Sequence, residues 1–360
     1  MERPSGKRNG NPADGSSRHP QLGPLAHREP EGAFEPESPR REVSRAARKL
    51  ALLKRSGLFA TETPGTCVEQ AITAEELKAA YRLVHDVYVE RGYCSEHDWG
   101  MRLRIFEASS KMGTFVGRTR DGAIVGVLSV VADCDEFLLP SDAAFGTEIA
   151  QLREGGHKLC EVTNQAIHPE YRKSALPTQL MQCAMAHGIT MGYQRAIATV
   201  SPGHTGFYNM LNFFEIGPKR SYSRTIDDPV IALCGDLNIY RANRDGLDEV
   251  GDFIHRFMTI DNPFMNHVAQ WAKGASATFK DTELLKNLFT CWSSFLEECS
   301  ESEVSFIESK WGWELFDRVT EPRVENDNVW KVRETQGFGI RCDHQLSECW
   351  PPVPDLLAAS

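Results

Sequence analysis

A chain of 360 residues with 41% hydrophobic content can bury a sizeable core, in one domain or two. Its formal net charge of −10 disfavours a chain-wide attraction to nucleic acid or to an anionic membrane, though local basic patches remain open. No apolar run approaches the roughly 20 residues that cross a bilayer, and the leading MERPSGKRNGNPADG lacks the apolar centre of a signal peptide, so the expected location is cytoplasmic.

Residues 1–60 read as a disordered, basic N-terminal region. Its first 40 residues are rich in Pro, Gly, Ser, Glu and Arg, with too little apolar matter to offset the entropy of ordering. Within it, REVSRAARKLALLKR (41–55) can place Val43, Leu50, Leu52 and Leu53 on one helical face. This stretch is either an arm that touches an acidic partner or a membrane surface, or a solvated helix packed on the domain edge. Next, Thr73 and Glu76 have capping-box spacing, and Leu77, Ala80, Tyr81, Val84 and Tyr88 recur at three and four residues, which predicts a helix. A hairpin follows, TFVGRTR then Asp121-Gly122 then AIVGVLSVV, in which the Asp-Gly pair suits the positive φ angles of a tight turn. Residues 133–157 read as a long excursion without an element of their own.

From 159 to 188 the chain runs LCEVTNQAIHPEYRKSALPTQLMQCAMAHG: a strand, a break at His168-Pro169, a basic pair Arg172-Lys173, and a helix with Leu180, Ala184 and Gly188 on one face. From 195 to 217, RAIATVSPGHTGFYNMLNFFEIG gives a strand at Ile197–Val200, a Ser-Pro-Gly break, and a short helix carrying Phe207, Tyr208 and Leu211. A strand around Tyr222 and another within 229–240 complete the sheet. Beyond them, 241–345 forms a helical, aromatic-rich appendage and 346–360 a flexible tail, with six of the seven tryptophans lying from Trp271 onward. Those aromatics are either a lid over a lipid-like substrate or packing. The ten cysteines show no C-x-x-C pair and no histidines at zinc-ligand spacing, so they are expected to be reduced, mostly buried thiols, with no metal.

Three segments in this order, LKAAYRLVHDVYVERGY (77–93), the Glu161 strand with HPEYR, and PGHTGFY with FFEIG, resemble the GNAT acyltransferase superfamily. Within it the chain is most similar to bacterial long-chain N-acyl amino acid synthases, relatives of the acyl-homoserine lactone synthases. The likeness spans roughly residues 70–225. It implies an α+β fold in which a mixed, mostly antiparallel twisted sheet is flanked by helices, with a helical C-terminal region added and the acyltransferase domain at 66–240. The implied activity is transfer of a medium or long acyl chain to the α-amine of an amino acid. In the synthases the region matching 133–157 helps to enclose the acyl chain. No cofactor is implied as permanently bound. The acyl-phosphopantetheine of acyl carrier protein, or acyl-CoA, serves as donor; the partners are acyl carrier protein and a small amine or amino acid, with no nucleic acid.

The resemblance also implies site residues. The Glu161 strand should splay from the Ile197 strand and offer backbone groups to pantetheine, with Val162, Asn164 and Ile167 as candidates. GNAT enzymes place a Gly-rich pyrophosphate loop where this chain has Arg172, Lys173, Ala175 and Pro177. Arg172 matches the loop, but Ala175 replaces its first glycine and Pro177 its second small residue, so a single phosphodiester held by Arg172 and Lys173 suits the turn better than a diphosphate. Glu161 is kept from the synthases' E-x-S/T-R pattern, whereas its arginine is Asn164. Glu161 is either a base for the incoming ammonium or a structural carboxylate paired with a cation. Tyr208 is either the acid that protonates the departing thiolate or a core aromatic, and His204 is an assistant of lower rank. Arg82, Arg102, Arg104, Arg118 or Arg172 could supply the cation for an acceptor carboxylate, Arg82 being favoured by its place on the opening helix. The competing readings are an acetyl-CoA-dependent N-acetyltransferase, an acyl-homoserine lactone synthase, and a non-catalytic carrier-protein-binding module.

Overall fold

The computed structural model describes residues 39–60, 62–135, 138–221, 229–242, 245–268 and 281–322, with side chains from position 47 onward. The expected disorder of residues 1–38, the role of Val43, the strand at Tyr222 and the flexible tail at 346–360 lie outside them. A helix, α1 (Pro39–Arg55), forms over the stretch read as able to set its apolar residues on one helical face, within the region otherwise expected to lack order. Arg48, Lys49, Lys54 and Arg55 are exposed on it while Leu53 is buried in the core and Leu50 half-buried, so these two pack on the domain, whereas Leu52, expected on the same face, is exposed. Beyond it Phe59 sets its ring against Phe253 and Phe257, with centroids 5.6 and 5.0 Å apart.

Strand β1 (Thr66–Gln70) leads into α2 (Ala74–Glu90). The capping box forms: Glu76 N donates to Thr73 Oγ1 at 3.2 Å and Thr73 N to Glu76 Oε2 at 3.1 Å, satisfying two of the amides that a helix start leaves unpaired. Leu77, Ala80, Tyr81 and Val84 are buried as their spacing predicts, while Tyr88 is half-buried. Strands β2 (Gly113–Thr119) and β3 (Ile124–Ala132) form the hairpin. Only Gly122 of its turn has positive φ, 91°, so the turn is a wider one closed by a glycine rather than the two-residue kind.

Where an excursion was expected, α3 (Asp142–Glu154) forms, burying Phe145 and Ile149 one turn apart. Arg153 holds it by bonding both Asp133 at the end of β3 and Asp142 in its own first turn. Strand β4 (Leu159–Ile167), helix α4 (Leu176–Thr190), strand β5 (Arg195–Val200), the short α5 (Thr205–Met210) and strands β6 (Phe213–Glu215), β7 (Arg220–Ser221) and β8 (Pro229–Asp236) follow. The sheet runs β1-β2-β3-β4-β5-β8-β6, with β7 on β8. Each pairing is antiparallel except β4 with β5.

Alternation along the strands sends neighbours to opposite faces. Phe115, Val125, Leu128 and Val130 meet α4 on one face, and Val116 and Val127 meet α2 on the other. Helix α4 lies so close that a Cβ on Gly117 or Gly126 would meet a Leu176 methyl at 2.4 or 2.8 Å. The carboxy-terminal helices divide between these faces. Helix α6 (Glu249–Met258) packs Val250, Ile254 and Phe257 into the α4 side. Helix α7 (Thr282–Lys286), the π-helical turn Asn287–Cys291, α8 (Phe295–Glu298), α9 (Glu301–Trp311) and α10 (Trp313–Thr320) pack on the α2 side. Of eight free cysteines among the described residues, Cys160, Cys183 and Cys234 are buried. The others reach partial or full exposure, more than the expected core thiols would. No described helix is long and apolar enough to cross a membrane.

Candidate active site

The β4 to β5 ladder has three pairs, Leu159 with Arg195, Cys160 with Ala196 and Glu161 with Ile197, although both strands continue. Beyond Glu161 they part, and a cavity of about 410 Å³ opens between them. On its other edge β4 stays paired with β3 but takes in one extra residue, where Val127 faces Ala166 and Ser129 faces Thr163. Asn164 sits in this bulge at φ 53°, a conformation that asparagine tolerates better than most residues. Its Nδ2 donates to Glu107 Oε1 at 3.0 Å, and Glu107, itself buried, is neutralised by Arg104 at 2.8 Å. The bulge is thereby tied to the loop that follows α2, which redirects the strand as it leaves β5.

Glu161 ends the ladder and faces the cavity while only 2% exposed. It has no ion pair among the described residues; its Oε2 accepts from the Ser141 amide at 2.9 Å. Burial pushes its carboxyl up to about 7, the Ser141 bonds and the Arg104 charge offsetting part of the rise. The group is therefore poised to exchange a proton near neutrality. Across the cavity Tyr208 is buried and donates its hydroxyl to Gln165 Oε1 at 2.9 Å, a side chain rather than a backbone carbonyl. Burial raises the Tyr208 phenol well above its ordinary value, so it stays protonated. His204 lies exposed at the rim, its Nδ1 3.2 Å from Ser201 Oγ, which in turn is 2.9 Å from the Tyr93 hydroxyl.

Val162, Asn164, Ile167 and Arg172 line the cavity together with Glu161, His204 and Tyr208. The Ile167 carbonyl is already held by Arg172 Nε at 3.1 Å, and Arg172 Nη2 reaches Glu90 at 3.1 Å. Lys173 and Ala175 do not line it: Lys173 is exposed and Ala175 is buried at the start of α4. The chain's own segment after α1 meets this helix start: its Leu58 carbonyl accepts from Thr178 Oγ1 and its Thr63 hydroxyl donates to Gln179. Leu58 thus lies over the helix start and forms part of the cavity wall.

Residues 79–236 match the family model described as N-acyl amino acid synthase FeeM. The protein is an acyltransferase. Among solved structures, FeeM, an N-acyl amino acid synthase from uncultured soil microbes, is 24% identical with a TM-score of 0.43, over 49% of this chain and 93% of its own. BjaI, a CoA-dependent acyl-homoserine lactone synthase with SAM and isopentyl-CoA, is 15% identical with a TM-score of 0.39, over 58% and 99%. The AHL synthase LasI is 15% identical with a TM-score of 0.37, over 48% and 90%. No curated protein matches the chain.

Several contacts that hold the acyltransferase's cavity residues had no sequence signal. Ser141 falls in the stretch taken for a loop, and Gln165 became visible only once Tyr208 was placed beside it. The Arg104-Glu107 pair stands far from Asn164 in sequence. Among the five arginines considered for an acceptor carboxylate, Arg82 is exposed and outside the lining, Arg118 is tied to Glu69 and Glu76, and Arg104 to Glu107. Arg102, which does line the cavity, has no carboxylate partner among the described residues.

Proposed function

We propose that this acyltransferase moves a medium or long acyl chain from the phosphopantetheine arm of acyl carrier protein to the α-amine of an amino acid. The observation that carries the reading is the opening of β4 from β5 at Glu161, with a carboxyl poised near 7 at its apex. Pantetheine amides can lie along the parted strands as an added strand would. Leu58, Val87, Val200, Phe207 and Val230 give the cavity apolar walls suited to a chain longer than acetyl.

The reaction then needs little machinery. Glu161, as carboxylate, takes one proton from the acceptor's ammonium, directly or through water, and the free amine attacks the thioester carbonyl carbon. The tetrahedral centre breaks its C–S bond, and the second nitrogen proton ends on sulfur. In this reading Tyr208 hydrogen-bonds the departing thiolate and relays that proton, exchanging its bond to Gln165 for one to sulfur. Because its phenol is made less acidic by burial, its main contribution is hydrogen bonding to developing charge.

The start of α4 supports a carrier protein over coenzyme A. Leu176 N is taken by Ser174 Oγ at 3.2 Å, Pro177 has no N–H, and Leu58 covers the Thr178 hydroxyl. Few donors are left for a diphosphate, whereas one phosphodiester at Arg172 needs fewer. The deciding experiment offers the purified protein acyl carrier protein or CoA loaded with acetyl, octanoyl or palmitoyl groups, together with the common amino acids, and reads products by mass spectrometry. The expected result is N-acyl amino acid from the long-chain carrier-protein donors. Acetylation of amines from acetyl-CoA alone would replace this reading, and no transfer from any donor would point to a binding module.

A further inference from the structure

Three arginines, Arg91, Arg102 and Arg172, line the cavity against a single carboxylate, Glu161. Two of the three have an evident situation: Arg172 is bonded to the Ile167 carbonyl and to Glu90, and Arg91 is exposed to solvent at the end of α2. Arg102 differs from both. Its backbone is fixed by the amide's bond to the Tyr81 carbonyl at 3.0 Å, and its guanidinium lies over the Tyr88 ring, 5.0 Å from the centroid. Its Nε is buried with no hydrogen-bond partner among the described residues. Burial and the neighbouring Arg104 charge make it easier to deprotonate than a free arginine. A guanidinium held by its face on an aromatic ring keeps its in-plane donors free, and these match the two oxygens of a carboxylate. A buried donor left unmade is costly, so the site is completed by an incoming anion.

We propose that Arg102 binds the α-carboxylate of the acceptor and so makes the enzyme choose amino acids over simple amines. This rests on the reading of the cavity as the site of N-acyl amino acid formation. The donor's phosphodiester is the other anion available, but Arg172 at the start of α4 serves that end, whereas Arg102 and Tyr88 belong to the wall built by α2 and its exit loop.

The test compares wild type, Arg102→Gln and Arg102→Lys on an amino acid the wild type acylates and on the amine formed by its decarboxylation. Arg102→Gln is expected to raise KM for the amino acid at least ~30-fold, the usual scale for truncating one side of a buried charge pair. Donor KM should stay within about twofold, and the preference for amino acid over amine should collapse toward ~1. Arg102→Lys, which keeps the charge without the fork, should fall between. Equal loss on both acceptors would make Arg102 structural, and a raised donor KM with acceptor KM unchanged would assign it to the phosphate; either overturns the proposal. Where Arg102→Gln does not fold, calorimetry on wild type decides, with the N-lauroyl amino acid expected to bind at least ~10-fold tighter than lauramide. Equal affinity refutes the assignment. A wild type that acylates amines but no amino acid removes the underlying reading instead, and the assignment with it.

Discussion

Glu161 carries opposite consequences for activity and for stability. Its carboxyl, raised by burial to about 7, must be ionised to take a proton from an ammonium. Hence kcat/KM should climb as pH passes upward through about 7. Glu161→Gln should lose ~10²-fold or more in rate and the pH limb with it. For folding the sign reverses. A carboxyl whose folded value lies above its unfolded one costs nothing where both states are protonated, below about 4.5, and its cost is complete above about 7. Glu161→Gln should therefore melt higher than wild type at pH 8, by up to ~3 kcal/mol, with the gain vanishing toward pH 4.5. A lower midpoint for the variant at pH 8 would mark Glu161 as a structural carboxylate. Tyr208→Phe removes one hydrogen bond to developing charge, so kcat should drop ~10- to 10²-fold while donor KM moves little. Equal kcat for the variant in single-turnover measurements would return Tyr208 to the role of core aromatic.

At the scale of elements, the site depends on how β4 leaves β5. The bulge at Asn164 combines positive φ with a hydrogen bond to the buried Glu107, and a β-branched side chain satisfies neither. Asn164→Val should cost ~2–4 kcal/mol in chemical denaturation, the sum of left-handed strain and an unmade buried bond, and Asn164→Gly should cost less because glycine accepts the backbone angle. Equal costs would mean that strain is not what the asparagine relieves. The elements themselves were legible wherever the signal is local: the Thr73/Glu76 box set α2, the Asp121-Gly122 turn set the hairpin, and the break at His168-Pro169 parted β4 from α4. Helix α3 was not, because Gly146 and a kink at Phe145 interrupt a pattern whose apolar positions are sparse. The partners of the site residues were hidden for a different reason. Ser141 meets Glu161, Gln165 meets Tyr208 and Glu107 meets Asn164 only through the fold, and no spacing rule joins them.

For the whole molecule, the aromatic carboxy-terminal helices bear on stability more than on turnover. Among the described residues, none that lines the cavity lies beyond Val230. Instead Phe289, fully buried, stacks edge-on against Phe295 and Trp311, and Trp311 donates to the Ala108 carbonyl at 2.9 Å. Lys78 of α2 sits 4.0 Å over the Trp292 ring, so this cluster braces the helix whose far end supplies Tyr88 to the cavity. Phe289→Ala should accordingly lower stability by ~3–5 kcal/mol, read from urea denaturation, because a large buried ring is lost and the cavity it leaves closes only in part. Assayed in the cold, where the variant remains folded, kcat/KM for donor and acceptor should match wild type. A lid would behave in the opposite way, keeping its stability and losing kcat/KM for long-chain donors in particular, since a cover over the acyl chain contributes to binding that chain and little to the fold.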